Sequence, residues 1–301
     1  MFDRVTLTRD LVDSRGAILG RRGLVVSVTT VLEAARRAPP GSCRPAELDA
    51  RLASDLRAPL SDGVYRHLFR GDAVQTGVGR ALASIRLPRQ LHDELHALAA
   101  EDPARYRHAL ATAAISVRML VSAVGEAPGL PEIAAAGLLH DLGMRHVARH
   151  LARNGDALEP DEIMDVASHP LLGGLHLALT LGQHPAVEAA LGHHFRGGHG
   201  YPWLPRSPSR SVEVVAVASA FAALTHARPF RSGPYDARGA VDLLVIEAKA
   251  GRADGTTVRL LVHALRGAGG EVKAVRFGRD RLVPGPDVNR HTVIAPTYSA
   301  V

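Results

Sequence analysis

The stretch 130–143, LPEIAAAGLLHDLG, decides the fold. An apolar, Ala- and Leu-rich helix opens at Pro131, where a first turn tolerates proline, and closes near Gly143. It ends on the pair His140-Asp141. Adjacent helical residues diverge by about 100°, yet at a final turn both side chains can converge on one metal, or the carboxylate can bridge two.

Outward from this segment the same three-and-four spacing of apolar residues recurs over 87–100, 104–125, 160–181, 185–194, 211–225 and 237–249. A restart at His169-Pro170 interrupts the stretch 160–181. The pattern predicts a mostly α chain whose central part, 63–267, is a bundle of six or seven helices with short connections. Residues 1–62 read differently. Thr6–Val12, Ile18-Leu19 and Leu24–Val28 are short apolar patches separated by turn signals, and 29–37 reads as a short helix. This predicts a small strand-rich module, with 38–62 as a mobile or weakly ordered connection. Residues 268–301 read as a strand-and-turn tail, because Glu271–Phe277 alternates and Gly278-Arg279-Asp280 turns.

Composition narrows the function. The 301 residues are 46% hydrophobic and 22% charged, enough for a sizeable core. A net charge of +6 suits an anionic ligand but is not the dense basic stripe of a DNA binder, and 4% aromatics leave few stacking platforms for single strands. The single Cys43 makes no intrachain disulfide. No N-terminal stretch reads as a signal peptide and no apolar run is long enough to span a bilayer, so a cytoplasmic chain with no membrane contact is expected.

Nine of the 16 histidines fall between 140 and 199. Imidazole is the commonest metal ligand, and histidines mixed with Asp favour Zn, Fe, Mn or a similar divalent ion. His169 stands at the lip of a restarted helix, and His193-His194 closes the next. Gly197-Gly198-His199-Gly200-Tyr201-Pro202 then describes a loop of unusual dihedrals whose N–H groups, with Arg196, can hold phosphate oxygens. His108, on an otherwise aliphatic helix, can reach the same point. The pairs His92/His96 and His146/His150 have no carboxylate at matching spacing and read as surface histidines.

The order His108, Leu139-His140-Asp141-Leu142-Gly143, His169-Pro170-Leu171-Leu172-Gly173, His193-His194 and Gly198-His199-Gly200-Tyr201-Pro202 resembles the HD-GYP domain. This is the branch of the HD phosphohydrolase superfamily associated with hydrolysis of cyclic di-GMP. Ala223-Leu224-Thr225-His226-Ala227-Arg228-Pro229-Phe230 resembles a downstream segment of the same family. The resemblance implies an HD-type helical bundle with metal ligands at His108, His140, Asp141, His169, His193 and His194, Asp141 being the bridging one. It also implies a substrate loop at Gly198, Gly200 and Tyr201, and catalytic roles for Asp141, Arg196 and Arg228. The implied reaction is phosphodiester hydrolysis with metal-activated water. The implied ligand is a cyclic dinucleotide or other phosphoester, with a protein partner or homodimer as a further expectation.

The departures are equally specific. A metal-binding aspartate of the family falls on Ser219, the next on Ala222, a glutamate on Ala104, a lysine on Met144, a further glutamate on Phe195, and the loop aspartate on Gly197. A neutral hydroxyl balances divalent charge far less than a carboxylate. Asp141, His169, His193 and His194 still make a four-ligand set, whereas the partner set keeps His108, His140 and a shared Asp141. One ion is therefore expected rather than two. Arg145 and His226 are the candidate compensations. A domain that senses a nucleotide or docks a partner without turnover is the competing expectation, and a purely structural bundle the third.

Overall fold

The computed structural model describes residues 2–38, 44–147, 158–197, 199–227 and 231–278. Arg228, Gly198 and His150 lie outside them, as do residues 279–301.

Four short strands open the chain: β1 (Arg4–Thr6), β2 (Leu11–Val12), β3 (Ile18–Gly20) and β4 (Val25–Ser27). β1 pairs antiparallel with β4, and β2 with β3. Ser27 then caps α1 (Val28–Arg37) by accepting from the Thr30 amide, which satisfies one of the free donors of the first turn. The fully buried Val26 and Val31 join the same apolar core as the helices that follow.

The stretch 44–62, expected as a weakly ordered connection, is structured. It forms β5 (Ala46–Glu47), α2 (Ala50–Asp55) and α3 (Ala58–Ser61). Asp49 caps α2, and Leu52 and Leu56, one turn apart, are each 1% exposed. Helices of one or two turns are too short for a helical period to show in sequence. They are ordered by what they pack against.

Next come α4 (Asp72–Ala83), the strand β6 (Arg86–Leu87) paired with β5, α5 (Arg89–Glu101) and α6 (Pro103–Val124). α6 is buried along most of its length from Tyr106 to Met119, and α7 (Leu130–Leu139) lies against it. The contact is close because its residues are small. A Cβ on Gly137 would meet the Ala113 Cα at 2.9 Å. A 3-10 turn, Leu142–His146, follows α7, and then α8 (Pro160–Ala167), α9 (His169–Leu181) and α10 (Pro185–Gly192). The restart expected at His169-Pro170 is thus a break between α8 and α9. α1 packs on α9, which seats the N-terminal strands beside the helices.

A two-stranded hairpin of β7 (Phe195–Arg196) and β8 (His199–Gly200) leads to α11 (Arg210–Thr225), α12 (Ala237–Lys249) and α13 (Gly255–Leu265). The sequence pattern missed α4 and α13. Gly77 and Gly79 dilute the first, and Thr256, Thr257 and Val258 at the start of the second read as strand formers. The tail also differs from its expectation: Val272–Ala274 is a 3-10 turn, and no residue of 268–278 is a strand. Val275 is buried instead, and Phe277 lies under the Arg259 guanidinium at 4.7 Å. Apolar alternation there serves contact with α13. No helix among the described residues is long and apolar enough to cross a membrane.

Two further expectations are corrected. His92 is 2% exposed and His96 sits 2.7 Å from Asp49 Oδ2, so both face a carboxylate that arrives from the start of α2. His146 turns to His176, Nε2 to Nδ1 at 3.2 Å. Neither histidine is a freely solvated surface group, because a partner distant in sequence reaches it.

Candidate metal centre

Five chain segments deliver six side chains to one place. His108 comes from the second turn of α6, whose N-terminus is fixed by Asp102 accepting from the Arg105 amide. His140 ends α7, Asp141 opens the 3-10 turn, His169 opens α9, and His193-His194 closes α10. Ring centroids lie 5.3 Å apart for His108–His140, 4.8 Å for His140–His193, 5.3 Å for His169–His193 and 4.1 Å for His193–His194. The imidazoles converge.

Backbone carbonyls fix how three of these rings point. His140 Nδ1 donates to Gly137 O at 2.8 Å, His169 Nδ1 to Val166 O at 2.7 Å, and His193 Nδ1 to Ala189 O and Ala190 O at 3.0 Å each. A carbonyl only accepts, so each Nδ1 carries the proton and each Nε2 turns a lone pair inward, the tautomer that suits a metal ligand. His169 Nε2 and His193 Nε2 face each other at 3.2 Å. Two lone pairs so placed repel unless a cation lies between them. Burial pushes His193 and His194 well below the ordinary imidazole range, with the neighbouring imidazoles adding to it. A divalent ion fits this donor set.

Asp141 stands between the two halves. Its Oδ1 is 3.2 Å from His169 Nε2 and 3.8 Å from His193 Nε2, while its Oδ2 accepts from Arg105 Nη1 at 2.8 Å. Burial raises its carboxyl, but the Arg105 guanidinium works against that, and the group is held well below the usual carboxylate range. Donor atoms of His169, His193 and His194 lie within 4.8 Å of one another, and so do those of His108, His140 and Asp141. Ser219 on α11 places its hydroxyl 3.1 Å from His140 Nε2 and 3.3 Å from His108 Nε2.

The loop closes the centre. Gly200 adopts φ +96°, and a Cβ there would fall 2.0 Å from His194 O, so only glycine allows the turn. Tyr201, 6% exposed, stacks on His194 with centroids 4.6 Å apart. Arg196 Nη1 donates to His193 O and Phe195 O at 3.1 and 2.8 Å, fastening the loop to the end of α10.

Neither compensation read from sequence reaches the centre. Arg145 pairs with Glu94 and Glu101, and His226 Nε2 meets the Tyr65 hydroxyl at 3.1 Å. The arginine that does arrive, Arg105, was missed. Its signal was present: it precedes His108 by three residues, which puts both on one helix face.

No protein-family model matches the chain. It is 30% identical over 133 residues to the 3'3'-cGAMP-specific phosphodiesterase 1 of Vibrio cholerae, covering 42% of this chain and 30% of that protein. It is 30% identical over 191 residues to a cyclic di-GMP phosphodiesterase of Pseudomonas aeruginosa, covering 62% of this chain and 41% of that one. The chain thus spans less than half the length of either relative. Among solved structures, an HDG"Y"P protein from Bdellovibrio bacteriovorus is similar with a TM-score of 0.47 and 17% identity, over 79% of this chain and 78% of that one. The ordered His, His-Asp, His, His-His and Gly-Tyr-Pro motifs that resemble the HD-GYP domain thus surround one centre, in a chain similar over part of its length to two cyclic-dinucleotide phosphodiesterases.

Proposed function

We propose that this chain is a metal-dependent phosphodiesterase acting on a cyclic dinucleotide or a related phosphoester in the cytoplasm. The observation that carries the reading is the inward-facing Nε2 set of His169 and His193, locked by carbonyls behind it and completed by Asp141 Oδ1. His169, His193, His194 and Asp141 would hold one divalent ion, Fe, Mn or Zn. When bound, such an ion polarises a phosphoryl oxygen and lowers the pKa of a water.

The remaining work falls to the chain. His140, kept neutral by burial, presents its Nε2 to the centre as a proton acceptor. Tyr201 covers His194 and keeps bulk water from that side of the ligand set. Arg196 holds the Gly-Tyr-Pro loop in register with His193, and the Arg105 guanidinium offsets negative charge beside Asp141. A cyclic dinucleotide is the substrate class that both relatives' names share, and the positive net charge favours such an anion.

The test is hydrolysis of bis-p-nitrophenyl phosphate and of cyclic di-GMP by untagged protein loaded with Mn or Fe, beside His193→Ala. Turnover by the parent and a loss of at least a hundredfold in the variant is the expected result. Nucleotide binding without turnover in any metal would replace the enzyme with a sensor.

A further inference from the structure

The two oxygens of Asp141 are used in opposite ways. Oδ1 faces His169 and His193, whereas Oδ2 is taken by Arg105 Nη1 at 2.8 Å. A carboxylate that bridges two ions offers one oxygen to each, and paired ions in such sites sit about 3.5–4 Å apart. Here a guanidinium holds the second oxygen. Its side chain is 11% exposed and is also paired with Asp102, Nε to Oδ2 at 3.4 Å, so it is fixed from two sides.

The other half of the second position is equally committed. His140 Nδ1 donates to Gly137 O, so its Nε2 accepts, and the Ser219 hydroxyl 3.1 Å away has one proton to give it. The Ser219 oxygen is then left to accept from His108 Nε2 at 3.3 Å. Two imidazoles and a hydroxyl close on one another through hydrogen bonds. A dication entering there would break both, gain no carboxylate of its own, and stand beside a permanent positive charge.

We propose that Arg105 stands in place of a second metal ion, making the centre mononuclear by occupying Asp141 Oδ2 and supplying a fixed positive charge there. The proposal rests on the metal-binding reading above and deepens it: Arg105 is a positioning residue for Asp141, and with Ser219 it sets how many ions the centre takes. The same substitution that removes a carboxylate from the second position is matched by a cation that makes a second ion unnecessary for holding Asp141.

The experiment is Mn²⁺ binding by untagged, metal-stripped protein, read as ions per chain after equilibrium dialysis and as the electron paramagnetic resonance of the bound ion. The parent is expected to bind one ion with the signal of an isolated Mn²⁺. Ser219→Asp alone should still bind one, because Arg105 keeps Oδ2. Ser219→Asp with Arg105→Gln should bind two, with a magnetically coupled signal. Arg105→Gln alone, which removes the charge together with the guanidinium contact to Oδ2, leaves the full carboxylate charge of Asp141 to the ion and should bind its single ion at least tenfold more tightly, and it keeps the question open to measurement if the Ser219 variants do not fold. Two ions in the parent or in Ser219→Asp, one ion in the double variant, or unchanged or weaker binding by Arg105→Gln would each overturn the role of Arg105. No ion at all in the parent would overturn the metal-binding reading itself.

Discussion

Glu94 is completely buried on α5, where a carboxyl group needs partners. It accepts from the Ser14 amide and from Arg145, and lies 3.9 Å from His176 Nε2. One carboxylate thereby ties the N-terminal strands to the turn that follows His140-Asp141, and it is the reason Arg145 faces away from the centre. Removing one partner of a buried ion pair leaves the other charged and unpaired, which costs about 3–5 kcal/mol. Glu94→Gln is therefore expected to lower stability by about 3 kcal/mol, somewhat eased by the remaining pair of Arg145 with Glu101, and urea unfolding reads it. A change below about 0.5 kcal/mol would mean that the cluster is not a structural tie. At this scale the sequence was informative about ligands and silent about their neighbours. A histidine beside an aspartate announces its chemistry, whereas Arg105, Glu94 and Asp49 look like ordinary surface charges until the fold shows what each one meets.

The approach of the 3-10 turn Leu142–His146 to α9 sets the separation between Asp141 and His169. Gly143 and Gly173 make that approach possible: a Cβ on Gly143 would lie 1.9 Å from His169 O and 2.6 Å from Gly173 N, which are backbone atoms with no room to yield. Gly143→Ala is expected to destabilise the chain by about 3 kcal/mol and to weaken Mn²⁺ binding at least tenfold in whatever fraction folds, because it pushes His169 away from Asp141 Oδ1. Denaturant midpoint and a metal titration on the same sample check it; parent-like values for both would show that the turn is free to move. The helices that position the centre were legible because they are long, apolar and rich in Ala and Leu. α2 and α3 were not, since a run of four to six residues shows no period, and α13 was not, since its Thr and Val favour strand when judged without the helix it packs against.

For the molecule as a whole, the buried histidines set the response to acid. His146 and His176 are held by burial down to about 3 and about 4. In the unfolded chain they take up protons near pH 6.5. Between roughly pH 6 and pH 4 the unfolded state thus binds more protons than the native state. Stability is complete above pH 6.5 and is lost as pH falls, by about 1.4 kcal/mol per pH unit for each such histidine. His140, His193 and His194 are shifted in the same direction, also by burial first. Urea midpoints of metal-free protein should drop steeply from pH 7 to pH 5, and a flat profile would contradict neutral buried imidazoles. The sequence alone determined that helices would dominate, because helical period is written locally, and its resemblance to a known family pointed to His140, Asp141, His169, His193 and His194 as one ligand set. Only the tertiary structure decided that Arg105 and Ser219 fill the second half of the centre. Which side chain faces a given oxygen depends on how α6, α7 and α11 pack, and that packing is a property of the whole core.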